Sequence, residues 1–137
     1  NIWYNCVLRG DVNEIRIGKR TNIQDLTMIH VATFGQGCYI GDDVTVGHSV
    51  VLHACTIGNK AFIGMQSCVL DGAVVEDGAM LGAASLLPCN KRVPSGELWA
   101  GSPAKFMRQL TDKDYETIDW SANHYVELAR KHVPKTV

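Results

Sequence analysis

The chain has 137 residues, of which 13 are basic and 14 acidic, giving a formal net charge of −1, and 46% are apolar. That length suits one domain, and the apolar share supports a packed core rather than disorder. Balanced charge offers no electrostatic reason for a nucleic-acid or anionic-membrane partner, and no apolar run nears the roughly 18–20 residues that span a bilayer. No charged leader precedes an apolar stretch, so a cytoplasmic location is expected, or a mitochondrial one if a leader has been removed.

In chain order, Asn1-Ile2-Trp3 enters a repeat already under way, so further coils are expected before it. The dominant signal is then a period of six. Ile17, Ile23 and Ile29 keep that interval, as do Ile40, Val46 and Leu52, and then Ile57, Ile63, Val69, Val75, Leu81 and Leu87. Glycine often follows the aliphatic residue, at Gly18, Gly41, Gly47, Gly58, Gly64 and Gly82. Helices repeat every 3.6 residues and ordinary strands every two, so neither accounts for a glycine-punctuated six. The longer interval between Ile29 and Ile40 predicts that Ala32–Gly37 bulges out as a loop.

After Leu87 the hexads are expected to stop, and residues 88–108, with Pro88, Pro94 and Pro103, read as an extended tail. From Thr111 the spacing of Tyr115, Ile118, Ala122, Tyr125, Ala129 and His132 becomes that of an amphipathic helix. Thr111 with Asp114 resembles a capping box, and Pro134 is expected to end the helix. The predicted organisation is a repeat region with its tail over 1–110, and a helix over 111–137 lying on the repeat of its own or a neighbouring chain. Five cysteines (Cys6, Cys38, Cys55, Cys68, Cys89) are an odd set without a C-x-x-C pair, which predicts reduced, small apolar side chains. Cys55 stands out for its closeness to His53.

The repeat resembles the hexapeptide repeat of left-handed parallel β-helices, in which each hexad makes one flat side and three hexads close a triangular coil. The fold class so implied is mainly β, with a C-terminal α-helix; the left-handedness comes from that resemblance, since most parallel crossovers are right-handed. Assigning sides in turn, Ile17, Ile40, Ile57 and Val75 begin side one. Ile23, Val46, Ile63 and Leu81 begin side two, and Ile29, Leu52, Val69 and Leu87 begin side three. His30 and His53 each follow the core residue of side three on consecutive coils, so they stack outward about 4.8 Å apart. His48, two places after Val46, sits near the corner that ends side two. One chain thus offers two ligands on one face and a third around a corner. A threefold assembly would bring His48 of one chain to His30 and His53 of the next, and three histidines plus water make an open tetrahedral site. His124 and His132 read as solvated helix residues.

Around these histidines the chain closely resembles γ-class carbonic anhydrases. The shared stretches are Arg9-Gly10-Asp11, Asn22-Ile23-Gln24-Asp25, His30, Val44-Thr45-Val46-Gly47-His48 and His53-Ala54-Cys55. Gly64-Met65, Pro94-Ser95-Gly96-Glu97 and Gly101–Lys105 also fit, although hexapeptide acyltransferases often carry a stretch like the last. The resemblance implies that His30, His48 and His53 bind Zn2+, with Fe2+ or Co2+ suited to the same donors. It implies a homotrimer with metal sites shared between chains, and reversible hydration of carbon dioxide to bicarbonate by a metal-bound hydroxide. Gln24 would hydrogen-bond water or bicarbonate, with Asn22 nearby. Arg9 and Asp11 would form an interface ion pair, with Asp25 beside it, and Tyr125 would border the site. A turn-and-solubility role is the alternative for Asn22 and Asp25.

The chain departs from the archaeal archetype in having Val12 where a glutamate follows the residue matching Asp11, and no acid in Ala32–Gly37, so slow proton export is expected. Two other readings are a hexapeptide-repeat acyltransferase using acyl-CoA and a non-catalytic scaffold stabilised by metal. Gly35-Gln36-Gly37 lacks the dinucleotide-binding spacing, and no G-x-S-x-G or P-loop occurs.

Overall fold

In a computed structural model of the chain, which describes residues 1–133, each hexad turns its aliphatic residue inward from a short strand. Three parallel sheets result. Side one stacks Ile15–Ile17, Cys38–Ile40, Thr56–Ile57, Val74–Val75 and Arg92–Val93. Side two stacks Asn22–Ile23, Thr45–Val46, Phe62–Ile63, Met80–Leu81 and Glu97–Gly101, with Ala104–Gln109 added antiparallel. Side three stacks Val7–Arg9, Met28–His30, Val51–His53, Cys68–Val69 and Leu86–Leu87. The parallel β-helix and its three-sided register are those the sequence predicts, and the left-handed class is the one the resemblance implies.

Of the twelve aliphatic positions, all but Ile17 are buried, and Ile17 packs partly buried against the others. Neighbouring coils are joined by backbone bonds of ordinary length, such as Gly47 N–H to Ile63 C=O at 2.9 Å. The glycine that follows six of these aliphatic residues serves this close stacking. A Cβ on Gly64 would stand 2.4 Å from the backbone nitrogen of Ala83, so only hydrogen fits there.

The tail predicted over 88–108 is corrected by the structure. Val93 stands six residues after Leu87 and is fully buried, and Trp99 follows six later on side two, partly buried against the core. The prolines misled because they sit where glycine or another N–H donor usually follows the core residue. That N–H normally donates to the next coil, as Gly82 does to Trp99 at 2.8 Å. Pro88 and Pro94 follow the last strands of sides three and one, where no further strand stands to accept, so nothing is lost by removing the donor.

The chain's irregular steps fall at one corner, from side three to side one. Leu8 to Ile17, Ile29 to Ile40 and Leu52 to Ile57 all depart from six, and Ala32–Gly37 loops out there as predicted. The helix α1, Asp112–His132, has Thr111 as its N-cap and a complete capping box with Asp114. It lies on side two of its own chain, tied by Thr45 Oγ1 to Ser121 Oγ at 2.8 Å and by Lys60 to Asp119 at 2.9 Å. Pro134, the expected helix stop, lies outside the described residues. The five cysteines are free thiols; Cys38 and Cys55 touch inside the core with sulfurs 3.8 Å apart. Among the described residues no helix is long and apolar enough to cross a membrane.

Candidate metal centre

Strand alternation on side three turns Leu8, Ile29 and Leu52 inward, and so turns Arg9, His30 and His53 outward in one column. His30 and His53 are direct register partners, with ring centroids 5.1 Å apart. Their facing nitrogens, His30 Nδ1 and His53 Nε2, are 3.1 Å apart. The far nitrogen of each ring meets a carboxylate. His30 Nε2 lies 3.1 Å from Asp11 Oδ1, and His53 Nδ1 lies 2.6 Å from Asp71 Oδ1.

These contacts constrain the protons. An ionised carboxylate only accepts, so each far nitrogen must carry hydrogen, and a neutral imidazole then has only a lone pair left on its near nitrogen. Two lone pairs facing across 3.1 Å repel unless a positive centre, a proton or a metal ion, lies between them. Two nitrogens on one tetrahedral zinc, at bonds of roughly 2.0–2.1 Å, stand roughly 3.3 Å apart, so the spacing fits the donor set of such an ion.

His48 stands at the corner between sides two and three, with Nδ1 3.0 Å from Asp25 Oδ2. Each of the three predicted histidines therefore has an aspartate on one ring nitrogen. Within one chain, however, no group of three or more His, Cys, Asp or Glu side chains converges among the described residues. His30 and His53 are brought together, and His48 is not brought to them.

The other predicted residues form two groups. Arg9 donates to Asp11 at 2.5 Å, and hydrogen bonds from Arg9 and His30 hold the Asp11 carboxyl below its ordinary pKa. In the single chain this pair also bonds His30 through Asp11, and Asp25 pairs with His48 at the other corner. Asn22 is fully buried, which leaves no room for a turn-and-solubility role there. It accepts from Gln24 Nε2 at 3.0 Å and donates to Thr45 Oγ1 at 2.9 Å, linking Gln24 to the Thr45–Ser121 contact under α1. Tyr125 packs edge-on against Trp3, centroids 5.5 Å apart, and its hydroxyl is pushed up in pKa by burial and by the charge of Asp25. It thus borders the Asp25–His48 corner rather than the histidine pair. His124 stacks on Trp120 at 4.6 Å, and His132 lies edge-on to Trp3.

Asp71 was not predicted. Leu70-Asp71-Gly72 reads as a plain polar corner, and only coil stacking sets it beside a histidine 18 residues earlier. The repeat offered the signal, because Leu70 lies one coil from His53 and Asp71 is next in line.

No family model matches the chain. It is 54% identical over 137 residues to gamma carbonic anhydrase 2, mitochondrial, of Arabidopsis thaliana, covering 96% of this chain and 49% of that protein. The chain spans about half the length of the plant relatives it matches. It is 43% identical to a carbonic anhydrase of Geobacillus kaustophilus, covering 93% of this chain and 69% of that one. The crystal structure of a hexapeptide transferase family protein from Anaplasma phagocytophilum superposes with a TM-score of 0.92 at 52% identity, over 96% of this chain and 77% of that one. With those sequence relatives and with His30, His48 and His53 each paired to an aspartate on the coils where the repeat sets them, the chain belongs to the γ-carbonic anhydrase family.

Proposed function

We propose that the chain forms a cyclic homotrimer in which His30 and His53 of one subunit and His48 of the next hold Zn2+, or Fe2+ or Co2+, and that it catalyses the reversible hydration of carbon dioxide to bicarbonate. The observation that carries this reading is the pair of facing ring nitrogens of His30 and His53, 3.1 Å apart, each ring with a carboxylate behind it. The missing third ligand and the family membership support a site completed by a neighbour. So does the outer face of side three, where Val7, Met28, Val51, Cys68 and Leu86 line up as an apolar column beside the histidines. The location we infer is cytoplasmic or mitochondrial, and the second accords with the mitochondrial designation of the plant relatives.

When bound, the metal supplies a Lewis acid that brings the pKa of water to about 7. The chain's own groups do the rest. Asn22 fixes the amide of Gln24, which hydrogen-bonds water or bicarbonate. Arg9 and Asp11 hold the His30 ring, Asp25 holds His48, and Tyr125 closes the edge of that corner. With Val12 and an acid-free Ala32–Gly37, proton export falls to solution buffer, so hydration is slow and rises with buffer concentration.

The test mixes two inactive variants. His30→Ala and His48→Ala each abolish all sites when alone. Unfolded together in equal amounts and refolded with zinc, roughly three quarters of trimers are mixed, each with one interface where intact halves meet, so about a quarter of wild-type zinc returns. Stopped-flow hydration should return in proportion. Recovery near zero, with mixed trimers confirmed by native mass spectrometry, overturns the shared site. Zinc binding with acetyl-CoA turnover and no hydration would favour the acyltransferase reading, and zinc binding with neither activity the scaffold.

A further inference from the structure

Resting on the shared-metal reading, we infer that Asp71 is a positioning residue for that centre: it fixes the tautomer and ring angle of His53 so that Nε2, and not Nδ1, is offered to the metal. Asp71 comes from the coil after His53. Its backbone is pinned at the corner by Asn90 N–H donating to its carbonyl at 2.9 Å, and by Gly72 N–H donating to Ala54 C=O at 2.8 Å. Gly72 takes φ +67°, which turns the chain directly after Asp71. The side chain leaves that corner half-exposed and makes one polar contact among the described residues, to His53 Nδ1 at 2.6 Å. A carboxylate spent on surface solubility has no need of so short and directed a bond.

The effect on His53 is specific. His53 Nδ1 must donate to Asp71, so the ring's remaining lone pair is on Nε2 and points at His30. Without Asp71 both tautomers become available and the ring can rotate away from the column. A carboxylate behind a metal-binding histidine also strengthens that histidine's hold on the ion. Asp11 and Asp25 stand behind His30 and His48 in the same way, but both lie in stretches that already mark the family resemblance. Asp71 stands apart from those stretches, in the corner of a later coil.

The experiment measures zinc affinity of the full chain by competition with a chromophoric chelator, for wild type, Asp71→Ala and Asp71→Asn. Loss of an outer-shell partner typically weakens metal binding about 10- to 100-fold, and Asp71→Ala should fall in that range. Asp71→Asn should lie between the two, because its amide oxygen still accepts from Nδ1 but carries no charge. Nitrogen chemical shifts of His53, read without metal, should show Nδ1–H dominant in wild type and a mixture in Asp71→Ala. Trimer mass and metal-free melting temperature should be unchanged, since among the described residues the Asp71 side chain bonds His53 alone. Equal affinity for wild type and Asp71→Ala overturns the inference. So does an affinity loss matched by a fall in metal-free melting temperature, which would make Asp71 a fold residue. If the wild type itself binds no zinc, the shared-metal reading falls and takes this inference with it; if the wild type binds and only the variant series is flat, that reading stands.

Discussion

Ten non-glycine residues, Leu26, Ala54 and Lys60 among them, hold φ between +44° and +64°, each three places before a core position. Side chains pay roughly 1 kcal/mol or more for that conformation, so each of these ten corners is strained in isolation. Corner-to-corner bonds offset it, such as Lys60 N–H to Asp42 C=O at 2.8 Å and Gln66 N–H to His48 C=O at 2.8 Å. At the start of α1 a single carboxylate matters in a different way. Asp114 takes two bonds from Arg108, at 2.6 and 3.0 Å, and one from Thr111 N–H at 2.7 Å, which together hold it far below its ordinary pKa. A depressed carboxylate contributes stability that is present above the unfolded value of about 4 and is lost as pH falls toward the folded value. Asp114→Asn should therefore melt earlier than wild type at pH 7, with the gap closing below about pH 4, as followed by helical circular dichroism. Thr111→Ala should cost about 1 kcal/mol through the lost cap.

At the scale of elements, no strand here is long enough to be stable alone, and each coil draws its burial from its neighbours. The final coil shows this most clearly. Leu87 and Val93 are fully buried although they occupy the last strands of their sheets, and Trp99 with the Ala104–Gln109 strand covers the end of side two. Truncating Leu87 to alanine should lower the unfolding free energy by about 2–5 kcal/mol. Pro94→Ala should change it by less than about 0.5 kcal/mol, because the restored N–H finds no strand to bond. Denaturant melts of the two variants check both figures. A large loss for Pro94→Ala would mean that the ring packs against the core rather than guarding an edge.

Across the whole molecule the three faces meet different surroundings. Side two is covered by α1, and side one is polar, with Arg16 and Tyr39 both bonded to Glu14 and Arg92 to Glu76. Side three is apolar and bare in a single chain, with Val7, Met28 and Val51 exposed by 49%, 40% and 37%. Solvated monomers rarely keep such a column beside functional residues unless another surface covers it. Val51→Asp should thus split the proposed trimer to monomers and lose zinc with it, whereas Thr56→Asp on side one should leave both intact. Light scattering with metal analysis reads the two together. A trimer that survives Val51→Asp would move the subunit contact to another face.

The period of six by itself determined the solenoid, its three sides and the pairing of His30 with His53, because a residue's side and direction follow from its place in its hexad, and the odd steps fall at one corner without changing that place. The capping box at Thr111 was legible for a similar reason, since it depends on neighbours three residues apart. What counting could not reach was which side chains bond across coils and what happens at the ends. Pro88 and Pro94 suggested an end to the repeat, and only the sheet order showed that they lack a strand to donate to. The strained corners at Leu26 and Ala54 carry no sign in residue type, since stacking overrides local preference there. Asp71 lies 18 residues from His53, and the bond between them exists only because one coil is laid on the next. Separation along the chain is erased by stacking, so the tertiary structure alone decided which carboxylate stands behind which histidine.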